Sequence, residues 1–213
     1  MPDRYMISLD LNGKECLVVG GGQVAERKVR SLLECGARVW VVSPEISAGL
    51  KSLAQEGGIS YRRGYYRAGD LKGVFLVIGS TDREEVNRQV AEDCAARGLL
   101  VNIVDDPTKG NFFVPAVVRR GALTIAVSTG GRSPLLARRI REELEKTYGP
   151  QYEKFLNMLG DLREDVIRKV GDGEKKRDIL ESLVDDLVLS LLKEGRMDLV
   201  KERITSVYSG SGP

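Results

Sequence analysis

Gly20, Gly22 and Ala25 stand at the spacing G-x-G-x-x-G/A, directly after the apolar run Leu17-Val18-Val19 and at the head of Val24-Ala25-Glu26-Arg27-Lys28. In that spacing the first glycine permits a tight turn and the second lets a pyrophosphate approach the backbone. A small third residue lets the following helix pack on its strand. The open N–H groups and the positive dipole end of the helix then hold phosphates without a charged side chain. A glycine triplet alone also fits an ordinary turn; the strand before it and the amphipathic pattern after it favour a nucleotide.

The same fingerprint asks for an acid about twenty residues on, at the end of the second strand, to take the ribose hydroxyls. The chain has Val42-Ser43-Pro44-Glu45 there; Glu45 comes slightly late and also reads as only a first-turn helix acid, so the fingerprint is incomplete at this point. No arginine lies within Ser43–Ile46 to receive a 2′-phosphate, which favours NAD over NADP. The expected cofactor-binding set is Gly20, Gly21, Gly22, Gln23, Val24, Ala25, Ser43, Pro44 and Glu45, joined by Ser80 and Thr81 at the close of the fourth apolar run.

A second constellation is one of charge. From Lys109 to Arg141 there is no Asp or Glu, while Arg119, Arg120, Arg132, Arg138, Arg139 and Arg141 accumulate. Arginine suits bidentate recognition of carboxylate or phosphate. Arg139 and Arg141 read as a solvated helix face; Arg119, Arg120, Arg132 and Arg138 are the candidates for a small polyanion. Nucleic acid fits less well, because exposed aromatics or a wider basic stripe are lacking. The chain also has no histidine, which excludes Ser-His and Cys-His pairs and every histidine-dependent metal site. Cys16, Cys35 and Cys94 show no C-x-x-C spacing and read as small buried hydrophobes. No metal site is predicted.

The elements that position these residues follow from periodicity. Apolar runs at Cys16–Val19, Val39–Val42, Ile59–Arg62, Val74–Ile78 and Leu99–Val104 alternate with helical patterns, predicting a parallel sheet with right-handed crossovers. Helices are expected over Val24–Cys35, stopped by Gly36, and Asp82–Arg97, capped by Thr81 or Asp82 and stopped by Gly98. Tyr65 and Tyr66 lie in a loop and read as packing residues. Strands are expected over Phe112–Val118 and Leu123–Val127, with Phe112 and Phe113 in the core. Ser133 then caps a helix that has Pro134 at its first position. The rest reads as helices at Leu135–Tyr148, Tyr152–Val170, Glu174–Lys193 and Met197–Val207. Leu180, Val184, Leu187 and Leu191 form an apolar stripe on the third of these.

At 42% hydrophobic, 30% charged and net charge +2, the composition predicts a folded, soluble protein. No apolar run approaches membrane-spanning length and the first residues lack a signal-peptide pattern, so no membrane partner and a cytoplasmic location are expected.

Four stretches in order resemble the precorrin-2 dehydrogenases and the N-terminal part of the siroheme synthases: Gly20–Lys28, Asn102-Ile103-Val104-Asp105-Asp106-Pro107, Phe113-Val114-Pro115-Ala116, and Ser128-Thr129-Gly130-Gly131-Arg132-Ser133-Pro134. The resemblance runs from about Leu9 to Arg141. It implies NAD-dependent oxidation of precorrin-2 to sirohydrochlorin, a homodimer formed through the region after the nucleotide domain, and Asp105 as the carboxylate important for chemistry. It also implies that Ser128, Thr129, Gly130, Gly131, Arg132 and Ser133 lie beside the tetrapyrrole. Some members also insert ferrous iron. The chain lacks a following uroporphyrinogen methyltransferase segment, so the trifunctional version is not expected.

The residues agree with this on their own terms. Asp105 follows the fifth strand at its carboxyl end, the side on which open α/β sheets bind ligands, although a turn acid before Asp106-Pro107 would look the same. The expected architecture is a Rossmann-like α/β domain at 1–112, a small β-containing dimerisation segment at 113–146 and a helical domain at 147–213. The alternative to the dehydrogenase is a non-enzymatic NAD-binding redox sensor, for which no recognition helix is found. Iron insertion is less secure than dehydrogenation, since without histidine it would fall to carboxylates.

Overall fold

The computed structural model describes residues 5–104, 106 and 108–210. The chain divides into two compact units, Met1–Val114 and Pro115–Pro213.

In the first unit, β1 (Glu15–Val19), β2 (Arg38–Ser43), β3 (Ser60–Arg63), β4 (Leu76–Gly79) and β5 (Leu100–Ile103) form one parallel sheet in the order β3-β2-β1-β4-β5. The central strands read as unbroken apolar runs because both of their faces are covered. Successive side chains alternate between those faces. Cys16 and Val18 enter the core on one side, with Ala25 and Val29 of α1 (Gln23–Glu34) and Leu50 of α2 (Ala48–Gln55). Leu17 and Val19 enter the other, with Val90 and Cys94 of α3 (Glu84–Ala95). The two buried cysteines therefore serve as apolar filling, and burial raises both thiols to about 11.

Two local expectations are corrected here. The N-cap of α3 is Arg83 rather than Thr81 or Asp82. Buried Asn87 draws Thr81 away: its side-chain amide donates to the Thr81 carbonyl at 2.9 Å, and its oxygen accepts the Thr81 hydroxyl at 2.9 Å. The strand expected from Phe112 starts only at Ala116, because the preceding residues are tied to β5. Asn111 accepts the Val101 N–H at 2.8 Å, and Asn102 donates to the Phe112 carbonyl at 3.2 Å. Phe112 packs at the edge of the first core, and Phe113 is half-buried.

The second unit pairs β6 (Ala116–Arg120) antiparallel with β7 (Leu123–Val127) and continues through α4 (Pro134–Thr147), α5 (Gln151–Lys169), α6 (Gly173–Ser182), α7 (Asp186–Lys193) and α8 (Met197–Gly210). Ser133 caps α4 through the Leu136 N–H at 3.2 Å, with Pro134 in the first turn as predicted. The single helix expected over Glu174–Lys193 is two helices. Asp185 starts the second by accepting the Val188 N–H at 2.8 Å and binding Arg203 at 2.9 Å. That break shifts the helical phase. Ile179, Leu183, Val188 and Leu192 are buried, while Val184 and Leu187 of the predicted stripe are 42% and 54% exposed.

The Val188 N–H, and then Arg203, hold the Asp185 carboxyl below its ordinary value. Asp185→Ala should lower stability by about 1 kcal/mol in urea unfolding at neutral pH, and Asp185→Asn, which keeps the cap, by less. Because the folded-state value is depressed, the contribution is present above the ordinary aspartate pKa of about 3.9. The gap between wild type and Asp185→Ala should therefore shrink as pH falls through the lowered value.

Candidate dinucleotide site

The strand order reverses between β1 and β4, the place where open α/β sheets form a crevice at their carboxyl ends. A cleft of about 830 Å³ opens there. Its walls are the turn Gly20–Val24, the end of β2 from Val42 to Ser47, the loop Gly64–Tyr66 after β3, and the loop Ser80–Arg83 after β4. Gly20, Gly21, Gly22, Gln23, Val24, Ser43, Pro44, Glu45, Ser80 and Thr81 of the expected set all line this one cavity. Ala25 lies beneath it, fully buried between α1 and the sheet.

Each glycine of the turn answers to a different constraint. Gly20 has φ +129°, and a Cβ there would sit 2.5 Å from the Ser80 carbonyl oxygen. A Cβ on Gly21 would fall on the Glu45 carbonyl oxygen, because Ser47 N–H donates to the Gly21 carbonyl at 2.8 Å and draws the two chains together. Gly22 is the N-cap of α1, has no side-chain cap, and would place a Cβ in open space. Unsatisfied N–H groups at the first turn of α1 thus face free volume, the arrangement that receives a phosphate. These residues fit a dinucleotide pyrophosphate.

Glu26 fastens this turn to its neighbour. Its carboxylate accepts the Ser47 hydroxyl at 2.6 Å and pairs with Arg30 at 2.7 Å, and those bonds hold it below the usual carboxylate range. Ser47 in turn caps α2 through the Leu50 N–H at 3.2 Å. One carboxylate so joins the start of α1 to the start of α2.

Three residues at or beside the cleft were not singled out as site residues in the sequence. Arg63 of β3 donates from Nε to the Pro44 carbonyl at 3.2 Å, so an arginine does stand beside the end of β2, brought there by the register that pairs Ser43 with Arg63. No arginine lies within Ser43–Ile46 along the sequence, but Arg63 stands beside that segment in space. Tyr65, expected to pack, is a second: it is instead 63% exposed on the cleft. Its ring centroid lies 5.6 Å from the guanidinium of the third, Arg83. Tyr66, by contrast, is buried and donates to Asp93 at 2.9 Å; burial and then that carboxylate push its phenol well above the ordinary range.

Asp105 lies outside the described residues. Its neighbour Asp106 accepts from Thr108 and pairs with Lys109 at 2.9 Å, which pull its carboxyl down to about 2. The remaining expected residues belong to the second unit. Ser128, Thr129, Gly130, Gly131, Arg132 and Ser133 form a loop closed on itself. In it Gly130 N–H donates to Ser128 Oγ at 3.2 Å, Arg132 N–H to the Thr129 carbonyl at 3.1 Å, and Ser133 N–H to Thr129 Oγ1 at 3.0 Å. Arg120 has a framework role instead of a free guanidinium: it donates to the Tyr148 carbonyl at 2.8 Å and the Glu145 carbonyl at 3.2 Å, closing the last turn of α4. Arg138 is exposed and pairs with Glu142 one turn on at 2.8 Å; Arg119 is exposed on β6. Among the described residues no group of three His, Cys, Asp or Glu side chains is placed to hold a metal ion, and no helix is long and apolar enough to cross a membrane.

A doubly wound parallel sheet with a glycine turn at its switch point defines a dinucleotide-binding α/β protein of the Rossmann type. The model of a family described as NAD(P)-binding matches residues 7–116, and that of the sirohaem biosynthesis protein central region matches residues 120–147. The siroheme synthase of Methylobacillus flagellatus is 37% identical over 210 residues, 97% of this chain and 44% of that protein. That of Chromobacterium violaceum is 38% identical over 90% of this chain and 41% of its own length. The chain thus spans less than half the length of these curated relatives. The solved structure of SirC, precorrin-2 dehydrogenase, is 31% identical, superposes with a TM-score of 0.81, and is covered over 97% of this chain and 100% of SirC. The chain belongs to the family of SirC and the siroheme synthases.

The turn geometry separates two substitutions. Gly20→Ala should lower unfolding stability by more than about 1 kcal/mol, because it combines a positive φ with a backbone collision. Gly22→Asp should hold or raise the thermal midpoint, since it supplies the missing cap and an acid at the helix start.

Proposed function

We propose that this chain oxidises precorrin-2 to sirohydrochlorin with NAD as the hydride acceptor, as a step of siroheme biosynthesis. The observation that carries the reading is the uncapped, open N-terminus of α1 behind Gly20–Gly22, in a chain that covers the whole of a solved precorrin-2 dehydrogenase. Gly20, Gly21, Gly22, Gln23 and Val24 would cradle the pyrophosphate, with Ser43, Pro44 and Glu45 on the adenosine side and Ser80 and Thr81 opposite. NAD, when bound, supplies the two-electron acceptor.

The protein's own task is to bind, orient and move a proton. The oxidation removes a hydride and a proton, and Asp105 is proposed to accept that proton or to fix the ring beside the nicotinamide. Acetate and propionate groups around the tetrapyrrole suit Arg119, Arg132 and Arg138, with the loop Ser128–Ser133 beside the ring. Arg120 supports the segment by holding α4. We further propose that 113–146 is the dimerisation segment of a cytoplasmic homodimer, between a nucleotide domain at 1–112 and a helical domain at 147–213. Nucleic acid and membrane have no part in this reading. Iron insertion into the product is expected to be slow, because no histidine is present.

Anaerobic incubation of the purified protein with precorrin-2 and NAD should generate NADH absorbance together with the sirohydrochlorin spectrum. A protein that binds NAD tightly yet forms no NADH would make it a sensor. Two variants divide the roles. Gly22→Asp should stay folded and lose calorimetric NAD binding, since its carboxylate occupies the phosphate position. Asp105→Ala should keep NAD binding and lose most NADH formation. Normal turnover in Asp105→Ala would remove that carboxylate from the chemistry.

A further inference from the structure

We infer that Tyr65 and Arg83 form a clamp for the adenine base of the dinucleotide, an inference that rests on the nucleotide reading above. With the pyrophosphate at the start of α1, the adenosine half of a dinucleotide lies on the β2 side of the switch point, where the ribose meets the end of that strand. Two loops from opposite walls of the cleft meet there through their side chains. One follows β3 and presents Tyr65; the other follows β4 and presents Arg83.

The backbone of Tyr65 is held in place, although its ring is left in solvent. Gly64 N–H donates to the Ser43 carbonyl at 3.1 Å, fixing the loop to the end of β2. Arg62 donates to the Tyr65 carbonyl at 3.1 Å while paired with the buried carboxylate of Asp70. A tyrosine so anchored would gain stability by packing its ring inward, as Tyr66 does; Tyr65 is instead 63% exposed over a cavity. Arg83 is anchored in the same manner. Its N–H donates to Thr81 Oγ1 at 3.2 Å, and its carbonyl accepts from Val86 and Asn87 at the start of α3. Its guanidinium reaches back over the Tyr65 ring at 5.6 Å and pairs with Glu85 at 2.8 Å.

A planar aromatic ring and a planar guanidinium therefore lie together on the wall of the cleft. A flat π-system is the ligand chemistry that such a pair recognises, through stacking on the ring and cation–π attraction to the arginine. Among the described residues the guanidinium is held there by a solvent-exposed ion pair and the ring itself. Exposed pairs of this kind contribute little, so a base can take the guanidinium's place on Tyr65 while Arg83 turns to cover it.

The test is calorimetric titration of the intact protein with ADP-ribose, which carries the adenosine and pyrophosphate without the nicotinamide. Tyr65→Ala should weaken binding by about five- to hundredfold, the range for loss of one base stack, and Tyr65→Phe by no more than about twofold. Arg83→Ala and Arg83→Lys should both weaken it, because lysine keeps the charge and loses the plane. Thermal midpoints of all four should match the wild type, as both side chains are exposed. Wild-type binding that Tyr65→Ala leaves unchanged would overturn the clamp and spare the nucleotide reading. An Arg83→Lys protein with full affinity, alongside a weakened Arg83→Ala, would make Arg83 a phosphate contact and overturn its half of the clamp. A wild type that binds neither ADP-ribose nor NAD would overturn the nucleotide reading itself, and the clamp with it.

Discussion

At the end of β1 the chain passes so close to its neighbours that side chains cannot be accommodated. Gly20 lies against the Ser80 carbonyl and Gly21 against that of Glu45, so three segments following β1, β2 and β4 meet as bare backbone. This close approach sets the shape of the cleft. It keeps the first turn of α1 directly above the switch point, and it leaves Gly22 as the one glycine of the three whose side-chain position faces open volume. The carboxylate of Glu26 then makes the arrangement rigid by joining α1 to the loop before α2 through Ser47. A phosphate site of this kind needs no positive side chain, because the ends of peptide dipoles and unpaired N–H groups supply the field. The pairing of Glu26 with Arg30 keeps its own charge from opposing that field.

Charge in the second unit is arranged differently. The acid-free run from Lys109 to Arg141 reads as a basic field along the sequence, yet the folded chain returns acids to it from just beyond. Arg138 meets Glu142 and Arg141 meets Glu145, each one helical turn away. Arg120 turns inward to the carbonyls that end α4, where a cation is favoured by the helix dipole. These pairs are surface pairs, which a multiply charged ligand could displace at small cost. The Arg120 contacts are of another kind, since they hold a helix end that would otherwise leave its carbonyls unpaired.

Legibility in the sequence follows from the range of each interaction. The strands inside the sheet were readable because burial on both faces writes unbroken apolar runs, and the stops at Gly36 and Gly98 because chain reversal after a helix favours glycine. The glycine turn was readable for the same local reason. What failed depended on partners far along the chain. The cap of α3 moved because Asn87 captures Thr81, and the predicted long helix broke because Asp185 finds both the Val188 N–H and Arg203. Arg63 escaped notice at the end of β2 because parallel pairing, which sequence spacing does not display, sets it opposite Ser43. Tyr65 and Tyr66 are adjacent and of one type, and only the direction of each ring separates the one on the cleft from the one in the core.

Asp105 and Asp106 follow β5 as adjacent acids that the sequence presents as equals. A proton acceptor is effective when its pKa approaches the working pH. Asp106 is committed elsewhere: Thr108 and Lys109 hold its carboxyl at about 2, and Lys109 extends the network to Glu84 at the start of α3. A carboxylate so stabilised in its charged form is a weak base, suited to fixing the turn after β5 against α3. In a protein without histidine, the proposal that a carboxylate at this strand end receives the proton therefore falls on Asp105.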